Sequence, residues 1–436
     1  MMPAPVARPL QGNELMFWGF DRCLPTNFAV FAQVEGALDE EALRAALPRV
    51  QARHPLLQAT LEMRGNQPWF RPGGPPLALE TLKGDMQFAV QRLAAASHAR
   101  FDVERGPLAQ FMLVRHDDTH ATVAVTLHHT IGDGLSGINV VRDWLHAASF
   151  PDAELAELPP HPSLAASLQS HSAMGKRMQE TRGAQRWLAH TDPSSRSTFL
   201  PAERKAAPHE RGVIAHLSHL DADFTKQLAA RCRDYGATVH GALHAAVGMT
   251  VAGRLPTGAP TLTFGQPIDM RSEVEMDVSE VCGCMISAIA IKERVHKQED
   301  FWLLARRLSA RVRDGRANGA HRFILDVGFP TLGGIAKYLS APLPRPFGRL
   351  MEAIHPQGLI LSNLGRVEPP ETKGLHVSHM GLAVNPGITS ALTHTATTLQ
   401  GRMSWMFLAT EPLLSRGTLE RIARDARGRL ERSLET

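Results

Sequence analysis

Apolar positions along the chain recur with two different periods, and each change of period marks an element. Residues 121–127 alternate small or polar side chains with apolar β-branched ones, which predicts a half-buried strand. Directly after it Leu135, Ile138, Val141 and Leu145 recur at helical spacing. Residues 111–114 and 122–127, around Asp117 and Asp118, predict a hairpin. Upstream, Val34 belongs to a strand, Leu43, Ala46, Leu47 and Val50 mark an amphipathic helix, and Arg53-His54-Pro55-Leu56-Leu57 a turn.

The second half repeats the mixture. Helices are predicted over 224–235, over the small and apolar 242–251 after a turn at 237–240, on Phe301, Leu304, Leu308 and Val312, and over 418–434. Core strands are predicted over 260–264 and 285–291, and a short buried strand, 359–361, leads into a loop Ser362-Asn363-Leu364-Gly365. A helical crossover is expected over 164–188, followed by polar, proline-containing linker composition to residue 211. A chain of 436 residues is long for one hydrophobic core, so two α/β domains are expected, 1–192 and 193–436.

Composition narrows the classes. A 43% hydrophobic and 21% charged chain is ordinary for a globular protein, and neither a secretion signal nor an apolar run of about 20 residues stands out, so a cytoplasmic protein without a membrane segment is expected. Cys23, Cys232, Cys282 and Cys284 are too few and too irregular for a disulfide framework and are expected as reduced, mostly buried thiols. No metal-ligand spacing, phosphate-binding loop, dinucleotide fingerprint or serine-hydrolase elbow occurs, which leaves no metal and no tightly bound cofactor expected. The net charge is +4, but aromatic residues make up only 6%, without a basic-aromatic block, and nucleic acid is not an expected partner. Arg306, Arg307, Arg311, Arg313, Arg316 and Arg322 read either as a solvated helix face or as a docking surface for an acidic carrier protein.

Between the strand at 121–127 and the following helix lies Leu127-His128-His129-Thr130-Ile131-Gly132-Asp133-Gly134. A histidine ending a buried strand can be partly desolvated and still reach a cavity, and an ordinary imidazole pKa of about 6.5 suits a general base near neutrality. The run resembles the His-His-x-x-x-Asp-Gly signature of the CoA-dependent acyltransferase superfamily, which includes chloramphenicol acetyltransferase, peptide condensation domains and polyketide-associated acyltransferases. Val34-Glu35-Gly36-Ala37-Leu38-Asp39 with Arg53-His54-Pro55, Pro267-Ile268-Asp269-Met270-Arg271, and Ser362-Asn363-Leu364-Gly365 are similar to further anchors of that superfamily, in its order. The resemblance implies two related chloramphenicol-acetyltransferase-like sandwich domains in a V, with the active site in a tunnel between them.

It also implies roles. His129 is the catalytic base, taking a hydroxyl proton while the oxygen attacks a thioester, so the chemical step should rise with pH through one ionisation in the histidine range. His128 holds the loop, and Asp133 orients it through an ion pair with Arg271. The oxyanion formed by attack on a thioester needs a donor, for which Ser362 and Asn363 are the candidates and Thr130 and Ser136 weaker ones, while Asn363 reads equally as the cap of a turn. Gly134 leaves room for a pantetheine arm, and Thr130 and Arg271 complete the substrate side. Acyl-CoA or a phosphopantetheinyl acyl carrier protein is the implied donor, and a monomer is expected. Residues 10–18 depart from the opening segment of peptide-forming condensation domains, and no Asp-Phe-Gly-Trp-Gly motif occurs, which favours an ester-forming enzyme of specialised metabolite or lipid assembly. The alternatives are a freestanding amide-forming condensation enzyme and an inactive domain that recruits a carrier protein.

Overall fold

Two β-sheets organise the protein, whose computed structural model describes residues 6–168, 197–339, 358–387, 390 and 392–435. The chain opens with α1 (Gly12–Asp21), β1 (Phe28–Gly36) and α2 (Glu40–Arg53), then a separate hairpin of β2 (Ala59–Arg64) and β3 (Gln67–Pro72). β4 (Leu79–Lys83), α3 (Met86–His98), β5 (Ala109–Arg115), β6 (His120–Leu127) and α4 (Gly134–Ser149) follow. The second half runs β7 (Gly212–Leu220), α5 (Ala222–Asp234), α6 (Val239–Ala252), β8 (Thr261–Asp269), β9 (Ile286–Arg294), α7 (Phe301–Ala317) and α8 (Phe329–Leu339). It ends with β10 (Leu359–Val367), β11 (Leu375–Val384), β12 (Leu392–Leu399), β13 (Arg402–Glu411) and α9 (Arg416–Glu435).

The first sheet has the order β11-β1-β6-β5-β4 and the second β7-β13-β12-β10-β8-β9. β11 comes from the second half of the chain yet pairs along all of β1, from Phe28 opposite Val384 to Gly36 opposite Leu375. Its sequence neighbours β10 and β12 lie in the second sheet, so the two sheets are tied by the backbone itself. The cores interlock in the same way: Val377, Met380 and Leu382 pack with the apolar side chains of the first half, and Met16 with those of the second. A division at residue 192 falls outside the described residues, and no cut between β1 and β13 leaves both sheets whole.

α4 shows why the histidine loop has a defined place. Asp133 caps it by accepting from Ser136 N–H at 2.9 Å. Ile138, Val141, Trp144 and Leu145 bury one face, each such side chain contributing about 1.5–3 kcal/mol. Trp144 Nε1–H donates to the Leu43 carbonyl of α2 at 2.9 Å. A Cβ on Gly137 would come within 2.4 Å of Val30 Cγ2, so only glycine lets the helix lie this close on β1. The loop before α4 is therefore held between a strand and a helix that are both fully packed.

One expectation changes and two others are only partly met by the described residues. The strand at 359–361 continues to Val367, because β10 keeps its parallel pairing with β12 past Asn363 and absorbs Leu364 in a bulge. Of the crossover at 164–188 only the single helical turn Leu164–Ser167 lies among the described residues, and the linker from 191 to 196 lies outside them. The basic cluster on α7 is largely occupied: Arg307 pairs with Glu293 at 3.1 Å and Glu299 at 2.7 Å, Arg311 with Glu293 at 3.2 Å, and Arg322 with Glu273 at 2.5 Å. These pairs offset part of the positive charge, while Arg306 and Arg313 stay exposed on the same helix. No helix among the described residues is long and apolar enough to cross a membrane.

Candidate active site

β6 delivers His128 and His129 into the turn ahead of α4. The His128 N–H donates to Leu108 O at 3.0 Å and its carbonyl accepts from Ile131 N–H at 3.0 Å, which closes the turn. The His129 ring is stacked on Phe17 of α1, with centroids 3.7 Å apart and planes 9° from parallel, and Phe28 of β1 tilts against it at 4.9 Å. Its Nδ1 lies 2.9 Å from the Gly132 carbonyl. A carbonyl can only accept, so Nδ1 carries the proton and the lone pair of the neutral ring sits on Nε2. That atom has no hydrogen-bond partner among the described residues.

His129 is 8% exposed, and the exposed part faces cavity on two sides. One chamber, of about 200 Å³, is walled by Asp133, Gly134, Asp269, Arg271, Ser362 and Asn363 among others. The second, of about 270 Å³, runs between β8–β9 and the helices α1 and α8. His129, Pro267, Ile286, Ile360 and Val384 line both, so the imidazole stands at the partition where the two meet. Two reactants entering from opposite chambers would meet at Nε2.

Burial between the two phenyl rings pushes the His129 pKa down to about 4, against the opposite pull of the Gly132 carbonyl and of Asp133. The ring is thus neutral, in its proton-accepting form, across the physiological range. This corrects the pH dependence expected from an ordinary histidine. The chemical step should be flat above about pH 6 and should fall as the pH drops through about 4, because protonation removes the lone pair. A kcat/KM profile recorded with chemistry rate-limiting checks this, and an inflection near 6.5 would contradict a desolvated ring. The same displacement costs stability in acid: the unfolded chain takes up this proton below about 6.5 while the folded one resists it down to about 4.

Asp133 is saturated. Arg271 Nη1 donates to Oδ2 at 3.0 Å and Nη2 to Oδ1 at 2.9 Å, the Ser136 N–H and hydroxyl each reach Oδ1 at 2.9 Å, and Met285 N–H reaches Oδ2 at 2.8 Å. Burial alone would raise this carboxyl's pKa, but the Arg271 charge and these donors outweigh it and hold it below the usual carboxylate range. Arg271 comes from the segment after β8, so the pair joins the second sheet to the start of α4. With every lone pair engaged, Asp133 has none for substrate, and the Ser136 hydroxyl, between Asp133, Arg271 and Gly283, is committed too.

The other expected residues divide. Ser362 and Asn363 of β10 line the chamber beside His129. The Asn363 side-chain carbonyl accepts from Gly365 N–H at 2.9 Å, which fixes the amide at the bulge and leaves its NH₂ without a hydrogen-bond partner among the described residues. His128 is fully buried and points away, its Nδ1 2.8 Å from the Thr130 hydroxyl and its Nε2 3.5 Å from Asp21. Thr130 is likewise buried and lines neither chamber, so its expected place beside substrate is not the one observed. Gly134 does line the first chamber, but the space a side chain would fill is taken by Leu364, 2.6 Å from the position of a Cβ, and not left open for a pantetheine arm. Phe17 and Phe28, which set the environment of the base, had no signal in the sequence beyond being apolar.

The profile of the condensation domain matches residues 26–323, more than half of the chain. The chain belongs to the condensation-domain family. Phosphinothricin tripeptide synthetase PhsB of Streptomyces viridochromogenes is 26% identical over 322 residues, 69% of this chain and 26% of that protein. The chain spans about a quarter or less of the length of curated relatives it matches, 26%, 3% and 5% of three of them. Polyketide synthase associated protein 5 from Mycobacterium tuberculosis superposes with a TM-score of 0.68 at 16% identity, each chain covered fully. The TRI3 trichothecene 15-O-acetyltransferase from Fusarium sporotrichioides gives 0.72 at 12% identity, covering 98% of this chain and 95% of that one. At such identities the structures establish the shared fold, that of the CoA-dependent acyltransferase superfamily to which condensation domains belong.

Proposed function

We propose that this condensation-family chain transfers an acyl group from a thioester to a hydroxyl acceptor, with His129 Nε2 as general base. The observation that carries the reading is the ring itself: neutral, its Nε2 without a hydrogen-bond partner among the described residues, and lining both chambers. As the acceptor oxygen attacks the thioester carbonyl, its proton passes to Nε2 and the carbonyl oxygen becomes an oxyanion. Collapse of that intermediate re-forms the carbonyl and breaks the carbon–sulfur bond, and the departing thiolate takes the proton back from the imidazolium. No acyl-enzyme is required. Nδ1–H on Gly132 O keeps the ring in the working tautomer throughout.

The oxyanion is met by Asn363. Its NH₂, like the Ser362 hydroxyl, is a donor on the chamber wall without a hydrogen-bond partner among the described residues, and the bulge holds the amide in place before charge develops. Asn363→Ala is expected to lower kcat by about a hundred- to a thousand-fold, the usual loss on removing one such donor. An unchanged kcat in a folded variant would assign the oxyanion elsewhere.

Acyl-CoA or an acyl group on a phosphopantetheinyl carrier protein supplies the thioester, and the setting is the assembly of a specialised metabolite or lipid. Hydroxyl is favoured over amine on the departures at residues 10–18 and the missing Asp-Phe-Gly-Trp-Gly motif. The relatives among peptide synthetases keep amide formation as the second reading. Mass spectrometry of the product formed from acyl-CoA and from acyl-carrier donors, each with paired hydroxyl and amine acceptors, decides between them. Ester from the hydroxyl acceptor is the expected result, amide alone would replace this reading with the second, and no product from any pair would leave only a recruiting domain.

A further inference from the structure

The second chamber differs from the first in chemistry. Among the described residues that line it none is Asp, Glu, Lys or Arg, and His129 is the one titratable group. Its floor is the β8–β9 ladder. Gly265 lies opposite Ala290 and Pro267 opposite Ala288, so four small or compact residues make a shallow, smooth surface. The facing wall is large and apolar, with Met16, Phe17 and Phe20 from α1 and Phe329 and Leu332 from α8.

Gly265 is the informative position. It sits in the middle of a nine-residue strand, where glycine costs about 0.5–1 kcal/mol relative to alanine. Its backbone does not need the left-handed region, and among the described residues a Cβ there would meet nothing closer than Ile360 Cγ1 at 3.4 Å, an ordinary contact. Neither conformation nor protein packing requires the glycine. A strand glycine without such a cause marks a place where a ligand passes close to the backbone. Ile286 stands at the partition beside His129, and Ala290, four residues along β9, is exposed, so the floor is open at its outer end. At about 3.3 Å per residue the path is roughly 13 Å. An extended hydrocarbon with bonds of about 1.5 Å crosses it in about ten carbons.

Building on the acyl-transfer reading, we infer that the second chamber holds a linear, uncharged aliphatic chain of about ten carbons carried by one of the two substrates, and that Gly265 sets the length admitted. Each methylene buried there should improve binding about fourfold until the chain reaches the open end.

Isothermal titration of the full chain tests this with two homologous pairs, acetyl-CoA against decanoyl-CoA and ethanol against decanol, on the wild type, Gly265→Ala and Gly265→Val. In one pair the long member should bind the wild type at least a hundred-fold more tightly. Valine, a good strand former whose methyl groups project over the outer end of the floor, should remove the last few fourfold steps and cut that preference by about tenfold or more while leaving the short member within about threefold, and alanine should fall between. The pair that responds tells whether the chain belongs to the donor or the acceptor. Equal binding of long and short members in both pairs overturns the inference, as does a Gly265→Val protein that keeps the preference undiminished. Chain-length preference without any acyl transfer would sink the catalytic reading alone, and transfer without preference would sink this inference alone.

Discussion

His129→Ala should lower the rate of acyl transfer by about a hundred- to ten-thousand-fold, the usual contribution of a positioned general base. The size of the effect follows from the site having one group for the task. Asp133 is engaged on both oxygens, His128 faces Thr130 and Asp21, and the Ser136 hydroxyl belongs to the Arg271 web. The fold should survive, because what disappears is a neutral ring and one hydrogen bond to the Gly132 carbonyl, a loss of about 1–2 kcal/mol. The vacated slot between Phe17 and Phe28 has the shape of an imidazole. Added imidazole should therefore restore part of the rate in His129→Ala and none in the wild type. Single-turnover assays with and without imidazole read this directly, and a variant as fast as wild type would remove His129 from the chemistry.

Asp133→Ala should act first on stability. It strips the bidentate partner from Arg271, whose side chain is 9% exposed, and leaves Met285 N–H and the Ser136 donors facing an empty place. Removing one partner of a buried ion pair costs about 3–5 kcal/mol, and because Asp269 still offers Arg271 one oxygen at 3.0 Å, a loss near 3 kcal/mol is expected. Urea denaturation at pH 7 measures it. The Asp133→Leu, Arg271→Met double variant should recover most of that stability, since two apolar groups leave no orphaned charge, yet remain slow because the loop carrying His129 has lost its tie to the second sheet. The pH dependence has a definite sign. The Asp133 carboxyl is held below its unfolded value, so its stabilisation is complete above about pH 4 and is lost as the pH falls through the lower folded value, where wild type and Asp133→Ala should converge.

The parts of the site that the sequence disclosed are those whose cause is local. The period change at residue 127 marks the end of β6 and the start of α4 because a strand and an amphipathic helix bury alternate and every-third-or-fourth positions respectively. The spacing from His129 to Asp133 follows from the same turn. Tertiary causes left no such trace. Phe17 stacks on a ring more than a hundred residues away, and its own stretch looks like any apolar run. β12 is buried along its whole length although Thr393, His394, Thr395 and Thr397 are polar, so no alternation announces it. β11 gives no sign of which sheet it will join. Ser362-Asn363-Leu364-Gly365 reads as a loop because Asn and Gly favour turns, whereas pairing with β12 on either side keeps it in the ladder and spends those residues on a bulge.

The account stands on a neutral imidazole whose Nε2 is open to both reactants. NMR of the protein labelled with ¹⁵N-histidine tests that state most directly, by following the two ring nitrogens of His129 with pH and with added thioester and alcohol. The expected spectrum shows Nδ1 protonated and Nε2 bare from neutral pH down to about 4, with the Nε2 resonance moving when the acceptor alcohol binds. An imidazolium at pH 7, or an Nε2 resonance indifferent to saturating reactants, would contradict it.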